Sequence, residues 1–304
     1  RKYGLRKDLV QTLADLSPKF LRFPGGCIAH GAGLANAYRW KDTVGDIAER
    51  KPNWNLWGYH QTYGLGYFEY FQLCADLGAE PLPVVPVGVS CGFHSGGGVQ
   101  CVPMGDLQEH IQDALDLIEF ANGPADSRWG SVRARMGRTE PFGLRYLCLG
   151  NEEHDTPEFH ERFPHFVRAL REAHPEIRLI GNSDLSANIP LYDFMHRQGV
   201  YSSDEHYYEL PEWFLRHQRR FDSFDRTKPK IFVGEYASWN NTVFSALAEA
   251  AYLTGIERNG DIVDMTAYAP LLARTDFTQW TPDLIYFDAR RVLCTVNYYT
   301  QQLF

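Results

Sequence analysis

The sequence is short of positive charge and contains no long apolar run. Its 304 residues include 30 Lys and Arg against 38 Asp and Glu, which gives a formal net charge of −8 at pH 7. Because no stretch of the chain is a basic run, the composition argues against a nucleic-acid partner. No apolar segment approaches the roughly 20 residues that a membrane-spanning helix requires, so we expect no membrane partner.

The chain also lacks an initiating methionine, a signal peptide, a low-complexity segment and an internal repeat. It opens with Arg-Lys-Tyr, and we expect the true N-terminus to lie upstream, so a cytoplasmic and a secreted location both stay open. Because there is no domain-scale linker, residues 1–304 are interpreted as one catalytic domain. Nothing in them is typical of a β-sandwich.

The six cysteines do not have the spacing of a zinc site. Cys74 and Cys148 fall inside predicted elements, where a cysteine is usually a small buried hydrophobe. Cys91 and Cys101 flank a glycine-rich loop and could form a disulfide or stay free, because sequence does not fix disulfide geometry. His206 has no second His or Cys at ligand spacing, so we predict neither a metal nor another cofactor.

Short apolar runs alternate with helical patterns along the whole chain. This order predicts βαβ units and a parallel sheet, and thus an α/β protein. Glycine and polar residues collect where the strands end, which is where a (β/α)8 TIM barrel carries its active site. Seven strands are predicted, at 19–25, 81–88, 144–149, 177–181, 202–208, 230–237 and 262–268. Helices are predicted at 8–16, 67–77, 106–122, from 156, and at 191–198, 211–224, 244–259 and 291–303.

A closed barrel of this type needs eight strands, and one is missing from the pattern. The helix at 8–16 precedes the first visible strand, so we expect the missing strand upstream of Arg1. Without it, the two edges of the sheet would expose unpaired N–H and C=O groups. We therefore predict that the strand containing Phe20 pairs with a segment outside this numbering.

Two glutamates follow strand-end glycines. The run 144–150 leads to Asn151 and Glu152, and the run 230–234 leads to Glu235. A retaining glycosidase needs two carboxyl groups roughly 5–5.5 Å apart, one as proton donor and one as ionised nucleophile. A single strand-end glutamate is more often an ion-pair partner than a catalyst. Two in matching positions predict a glycoside hydrolase.

Four motifs that surround these glutamates occur in order along the chain. They are Arg22-Phe23-Pro24-Gly25-Gly26, Gly150-Asn151-Glu152, His206-Tyr207-Tyr208 and Gly234-Glu235-Tyr236. With the runs 64–70, 121–124 and 279–283, they resemble glycoside hydrolase family 51, the α-L-arabinofuranosidase family, over essentially the whole chain. The family places its acid/base on strand four and its nucleophile on strand seven, one place later than here, which agrees with a missing first strand. A family glutamate on that strand is therefore absent from these residues.

The resemblance implies a role for each matching residue. Glu152 becomes the acid/base, Glu235 the nucleophile and Asn151 the ligand of the sugar 2-hydroxyl group. Arg22 becomes a buried support near the nucleophile. Further substrate contacts are expected from Cys27, which stands where many members have Asn, and from His206, Tyr208, Gln279 and Trp280.

Three assignments keep an alternative. Tyr207 replaces Tyr208 if the register of that strand differs by one residue. Glu153 follows Glu152 directly and is interpreted as a supporting or surface group. Most aromatic residues in such a chain belong to the core, but Trp280 lies in a polar loop and is predicted to be a sugar-stacking platform.

We therefore predict a retaining, exo-acting α-L-arabinofuranosidase that acts on arabinose-containing polymers such as arabinan or arabinoxylan. An endo-β-glucanase of the same family is the rival enzyme, favoured by an open groove rather than a closed pocket. A catalytically inactive, polysaccharide-binding barrel is the rival from another class, although both carboxylates argue against it. A homo-oligomer is possible.

Overall fold

The structure, a computed structural model, describes residues 4–185 and 189–304. Its strands are β1 (Phe20–Phe23), β2 (Asn53–Trp54), β3 (His60–Gln61), β4 (Glu80–Val85), β5 (Tyr146–Leu149), β6 (Arg178–Leu185), β7 (Ser202–Glu209), β8 (Lys230–Ser238), β9 (Val263–Tyr268), β10 (Leu272–Arg274), β11 (Ile285–Phe287) and β12 (Val292–Cys294). Its α-helices are α1 (Lys7–Ala14), α2 (Cys27–His30), α3 (Tyr67–Leu77), α4 (Leu107–Asn122), α5 (Arg128–Arg135), α6 (Pro157–Ala173), α7 (Ile189–Gln198), α8 (Pro211–His217), α9 (Val243–Arg258) and α10 (Val296–Leu303).

Seven parallel strands form a sheet that curves into most of a barrel. Their order is β1-β4-β5-β6-β7-β8-β9, and each neighbouring pair is parallel. Helices follow these strands along the chain, as parallel connections require. All seven predicted strands are present, and the barrel prediction is confirmed.

Strand β5 is apolar on both faces because each face is covered. In β5 all four residues are buried. Leu147 and Leu149 pack in the core that includes residues of α4 and α6. Cys148, which points to the opposite face, packs with Leu82 and Phe232. Helices therefore cover one face, and side chains of the barrel interior fill the other.

The sheet stays open between its first and last strands. In residues 4–185 and 189–304, β1 pairs with β4 and β9 pairs with β8, and no ladder joins β1 to β9. The seven strands therefore do not close directly on each other. Direct pairing of β1 with β9 would have refuted the predicted missing strand. That a further segment pairs with Phe20 remains a prediction.

The C-terminal part of the chain differs from the predicted elements. The sequence predicts a helix over 291–303, but Val292–Cys294 pairs with β11, and α10 begins only at Val296. Strands β10, β11 and β12 form a small sheet between β9 and α10. The pattern at 211–224 predicts a longer helix than α8, which ends at His217. Helix α5 is not predicted because mostly polar residues form it.

Two points that the sequence left open concern cysteines and membranes. Cys91 and Cys101 do not pair, and all six cysteines are free thiols. Within the described residues, no helix combines the length and the apolar character needed to cross a bilayer.

Candidate active site

Glu152 is positioned by an unusual backbone at the end of β5. After Leu149 the chain turns through Gly150 at φ 79°, and Glu152 itself has φ 51°. A residue with a side chain rarely adopts this left-handed conformation, which costs of order 1–3 kcal/mol and tends to persist at functional sites. Glu152 is 7% exposed and Asn151 is fully buried. The turn therefore holds an acid and an amide inside the mouth of the barrel.

Glu235 reaches the same mouth from β8. The register of β8 shifts against β7 next to His206 and against β9 beyond Val233, and such irregularities re-aim side chains. The residue before the glutamate must be glycine, since a Cβ on Gly234 would lie 2.1 Å from Oδ1 of Asp204. That aspartate instead accepts a hydrogen bond of 2.9 Å from the amide nitrogen of Gly234.

The two glutamates face each other with His206 between them. One carboxylate oxygen of each and one ring nitrogen of His206 all lie within 4.8 Å of one another. Oxygens this close are compatible with the roughly 5–5.5 Å carboxyl separation of a retaining glycosidase. The two residues, 83 positions apart in sequence, are thus brought together as the pattern predicts.

Three groups stabilise the ionised form of Glu235. Oε1 accepts a 2.7 Å hydrogen bond from Nη1 of Arg22, and Oε2 accepts a 2.6 Å hydrogen bond from the hydroxyl of Tyr208. Burial by itself would raise the pKa of Glu235, but the charges of His206 and Arg22 and these hydrogen bonds outweigh burial and lower it. A buried carboxylate that stays ionised is suited to be a nucleophile.

His206 links the acid to a third carboxylate. Its Nδ1 lies 2.6 Å from Oε1 of Glu152, and its Nε2 lies 3.2 Å from Oδ2 of Asp204. Although burial disfavours a charged imidazole, Glu235 and Asp204 raise the pKa of His206 well above its ordinary value. An imidazolium that donates to the carboxyl group of Glu152 and to the carboxylate of Asp204 therefore sits at the centre of the site.

Asn151 and Arg22 are locked together beneath the two glutamates. Nη2 of Arg22 donates a 2.6 Å hydrogen bond to Oδ1 of Asn151 and a 3.3 Å one to Oδ2 of Asp204. This fixes the orientation of the amide, so Nδ2 of Asn151 is its free donor end and lies on the side of the Cys27 sulfur. Gly26 lies against the same groups: a Cβ there would come within 2.4 Å of Oε1 of Glu235.

Cys27 contacts the acid, and Glu153 lies behind it. The Cys27 sulfur is 3.5 Å from Oε2 of Glu152 and 3.8 Å from Nδ2 of Asn151. Glu153 is 3% exposed, so the interpretation as a surface group is wrong. It lies 3.1 Å from Nδ1 of His30. Burial opposes a charged imidazole, but Glu153 and Cys91 raise the pKa of His30 to about 10.

Aromatic rings line one side of the mouth. The Trp280 ring centroid lies 5.1 Å from that of Tyr208, 5.4 Å from that of Trp239 and 6.3 Å from that of Trp57. Trp280 is half-buried, so part of its surface is open to a ligand. Gln279 is exposed in the loop before it.

The structure decides between two tyrosines and adds residues that the sequence did not indicate. Tyr207 is buried on the opposite face and donates to Glu205, so Tyr208 is the tyrosine at the site. Asp204 belongs to the site although only its alternation with His206 and Tyr208 along β7 could have indicated it. Trp57, Trp239, His30 and Cys91 also join the site from distant segments, without a local signal.

Sequence models of two known domains match the chain. The α-L-arabinofuranosidase 1 domain matches residues 12–226, and the α-L-arabinofuranosidase C-terminal domain matches residues 234–304. The two matches together include each of the four motifs around the glutamates.

Curated relatives align over almost the whole chain. An extracellular exo-α-L-arabinofuranosidase of Streptomyces chartreusis is 47% identical over 99% of this chain and 38% of its own length. α-L-Arabinofuranosidase 1 of Arabidopsis thaliana is 41% identical over 99% of this chain and 44% of its own length. The chain thus spans less than half the length of these relatives.

Solved structures agree with these sequence matches. An arabinose-bound family 51 α-L-arabinofuranosidase superposes with a TM-score of 0.92 and 37% identity, over 100% of this chain and 50% of that one. The arabinose complex of the Thermotoga maritima α-L-arabinofuranosidase superposes with a TM-score of 0.75 at 19% identity, over 100% and 64% of the two chains. This second, distant likeness concerns the fold alone.

Proposed function

The chain belongs to glycoside hydrolase family 51, the α-L-arabinofuranosidase family, and from this we propose that it releases terminal α-L-arabinofuranosyl residues by a retaining double displacement. The observation that carries the proposal is the facing pair of buried glutamates, whose nearest oxygens lie within 4.8 Å. The substrate class is an arabinose-containing plant polysaccharide or oligosaccharide, and residues 1–304 act as the catalytic barrel.

In the first step Glu235 is the nucleophile. A carboxylate oxygen of Glu235 attacks the anomeric carbon, and the bond from that carbon to the leaving oxygen breaks. Glu152 donates its proton to the leaving oxygen, so the aglycone departs as a neutral alcohol. The products of this step are a glycosyl ester on Glu235 and an ionised Glu152.

In the second step Glu152 acts as a base. It takes a proton from a water molecule, whose oxygen attacks the anomeric carbon and breaks the ester to Glu235. Arabinose leaves with the configuration of the substrate, because two inversions cancel. Glu152 is protonated again and Glu235 is again a carboxylate, so the enzyme returns to its starting state.

The neighbours of the two glutamates keep these roles apart. Arg22 and Tyr208 donate to the two oxygens of Glu235, which favours its ionised form as the resting nucleophile. His206 donates to Oε1 of Glu152 and leaves Oε2, on the Cys27 side, to meet the leaving oxygen.

The sugar is held by groups that the protein fixes beforehand. The Asn151 amide is oriented by Arg22, so its Nδ2 can donate to the sugar 2-hydroxyl group next to the scissile bond. Such a contact strengthens in the transition state. Trp280, in its aromatic group with Tyr208 and Trp239, offers a face on which a neighbouring sugar can stack.

Turnover of a panel of aryl glycosides by the full-length protein tests this function. We expect hydrolysis of the aryl α-L-arabinofuranoside and little or none of aryl β-glucosides or cello-oligosaccharides. Cleavage within a β-glucan instead would identify an endo-β-glucanase. Binding of arabinan without turnover of any glycoside would identify an inactive polysaccharide-binding barrel, and either result would overturn the proposal.

A further inference from the structure

A second group of side chains with the chemistry of metal ligands lies beside Glu152. The sulfurs of Cys27 and Cys91 and one ring nitrogen of His94 all lie within 4.8 Å of one another. These residues come from helix α2 and from the segment after β4, so their spacing along the chain has no zinc-site pattern. The fold alone brings the three ligand atoms together.

The backbone around the two cysteines is firmly held. Cys91 donates its amide hydrogen to the carbonyl oxygen of Gly31 over 2.8 Å, which ties its segment to the end of α2. An isolated bridge between Val89 and Cys101 closes the loop that follows. Cys91 is fully buried and Cys27 is 9% exposed. The two thiols therefore occupy fixed positions within the fold.

His94 completes the group from the solvent side. Its ring is half-buried and packs edge-on against Trp57, with 4.7 Å between the ring centroids. A cation could therefore enter past His94, whereas both thiols lie on the protein side. Cysteines enclosed in a hydrophobic core would not be open to a cation from solvent in this way.

The distances suit a tetrahedral ion. Zinc binds sulfur at about 2.3 Å and histidine nitrogen at about 2.0–2.1 Å, so ligand atoms around it stand ~3.5–3.8 Å apart. The present atoms lie within 4.8 Å of one another, so contraction by at most about 1.3 Å would place three ligands of the tetrahedron. A water molecule can take the fourth position.

An outer layer that typically supports metal ligands is also present. His30 is 1% exposed and lies against Cys91. Its Nδ1 is held 3.1 Å from Oε1 of Glu153. A carboxylate that orients an imidazole against a ligand atom is a common arrangement around bound metals.

We propose that Cys27, Cys91 and His94 bind one thiophilic divalent cation, with Zn²⁺ and Cd²⁺ as the suitable ions, and that this binding inhibits hydrolysis. On binding, thiol protons are released to solvent, and the sulfurs become thiolate ligands. Cys27 then no longer donates to Oε2 of Glu152, 3.5 Å away, and a divalent charge stands next to the acid. The inhibition rests on the proposed function, whereas the binding does not.

Cadmium titration of the full-length protein tests the binding directly. The protein is reduced, freed of metal with a chelator, and titrated with CdCl₂ while the ultraviolet sulfur-to-cadmium charge-transfer absorbance is recorded. We expect saturation at one equivalent. His94→Ala should weaken binding by at least about tenfold, and Cys91→Ser should remove the charge-transfer band. Cys294→Ser, which changes a half-buried thiol in the small C-terminal sheet, should titrate like the wild type.

Inhibition is measured on the same proteins with an aryl arabinofuranoside. For the wild type and Cys294→Ser, the Zn²⁺ concentration that halves the activity should equal the concentration that half-saturates the site. His94→Ala should need at least about tenfold more Zn²⁺ for the same inhibition. The proposed site would be overturned if CdCl₂ left the spectrum of the wild type unchanged. It would also be overturned if Cys294→Ser lost as much metal binding as Cys91→Ser. Metal binding at one equivalent without loss of turnover would overturn the inhibitory role. If the protein hydrolysed no glycoside, the proposed function would fail, but the cadmium charge-transfer band would still report on the metal site.

Discussion

The hydroxyl of Tyr208 donates a 2.6 Å hydrogen bond to Oε2 of Glu235. The neighbouring Tyr207 points to the other face of the strand and donates to Glu205 instead. Because side chains alternate along a strand, only one of two adjacent tyrosines can reach the barrel interior. The pair therefore provides a matched comparison between a site residue and a core residue of identical chemistry.

Tyr208→Phe should lower kcat/KM by about 10- to 100-fold, because a hydrogen bond to a charged group contributes about 1.5–3 kcal/mol. Removal of this donor also raises the pKa of Glu235, so the acidic limb of the kcat/KM profile should move to higher pH. The measurement is a pH–rate profile with an aryl arabinofuranoside.

Tyr207→Phe is the control for this change and should leave the acidic limb in place, whatever it does to stability. An identical shift in both variants would mean that Tyr208 acts through the fold and not through Glu235.

Gly26→Ala should lower kcat/KM by at least about 100-fold, since displacement of a catalytic group by about 1 Å can have that effect. The added Cβ would lie 2.4 Å from Oε1 of Glu235 and 2.8 Å from Oδ1 of Asn151, so both groups must move. Gly105→Ala, where a Cβ meets nothing within 4 Å, is the control. Steady-state kinetics check the prediction, and wild-type rates for Gly26→Ala would contradict the described geometry.

Glu152→Ala should lower the rate of glycosyl-enzyme formation much less for aryl glycosides with acidic leaving groups than for natural arabinosides. Only a poor leaving group needs a proton from Glu152 at that step. Pre-steady-state rates for a series of phenols of increasing pKa would show a steeper dependence in the variant than in the wild type. A loss independent of the leaving group would remove Glu152 from the role of acid.

Glu249 makes stability depend on pH. It is fully buried on α9, and burial raises its pKa from 4.5 to about 7. The unfolded chain therefore releases this proton at lower pH than the folded chain, so the contribution of Glu249 to the free energy of unfolding falls as pH rises from about 4.5 to about 7. The total change is about 3 kcal/mol.

Glu249→Gln should remove this slope, which is measured as the difference in unfolding free energy between wild type and variant from pH 4.5 to 8. Glu257→Gln, at an exposed position of the same helix, should keep it. Parallel pH curves for Glu249→Gln and the wild type would contradict the assignment.

The fold and the facing pair of glutamates could be predicted because their signals are local. Each strand of the barrel is a short apolar run, and Glu152 and Glu235 each follow a glycine at a strand end. The position of the last helix could not be predicted, because Val292–Cys294 is held as a strand by its pairing with β11 rather than by its own sequence. Local propensity is overridden by such tertiary contacts.

The rest of the site depends on contacts between distant segments. Asp204 matters because its carboxylate meets Arg22, 182 residues away, and the amide of Gly234. Cys27 and Cys91 meet because the segment after β4 is tied to the end of α2. No pattern within a short stretch encodes contacts between distant segments. A single sequence therefore indicates which residue types are available but not which of them lie together in the fold.

The proposed double displacement requires that Glu235 becomes covalently glycosylated during turnover. In the full-length Glu152→Ala protein, the aryl arabinofuranoside still forms the ester, but no base assists its hydrolysis, so the glycosyl-enzyme should accumulate. Rapid quenching, proteolysis and tandem mass spectrometry then locate the sugar. We expect one pentosyl group on the peptide that contains Glu235, with the ester on that carboxylate. A sugar on another residue, or product of inverted configuration formed without any labelled peptide, would contradict it.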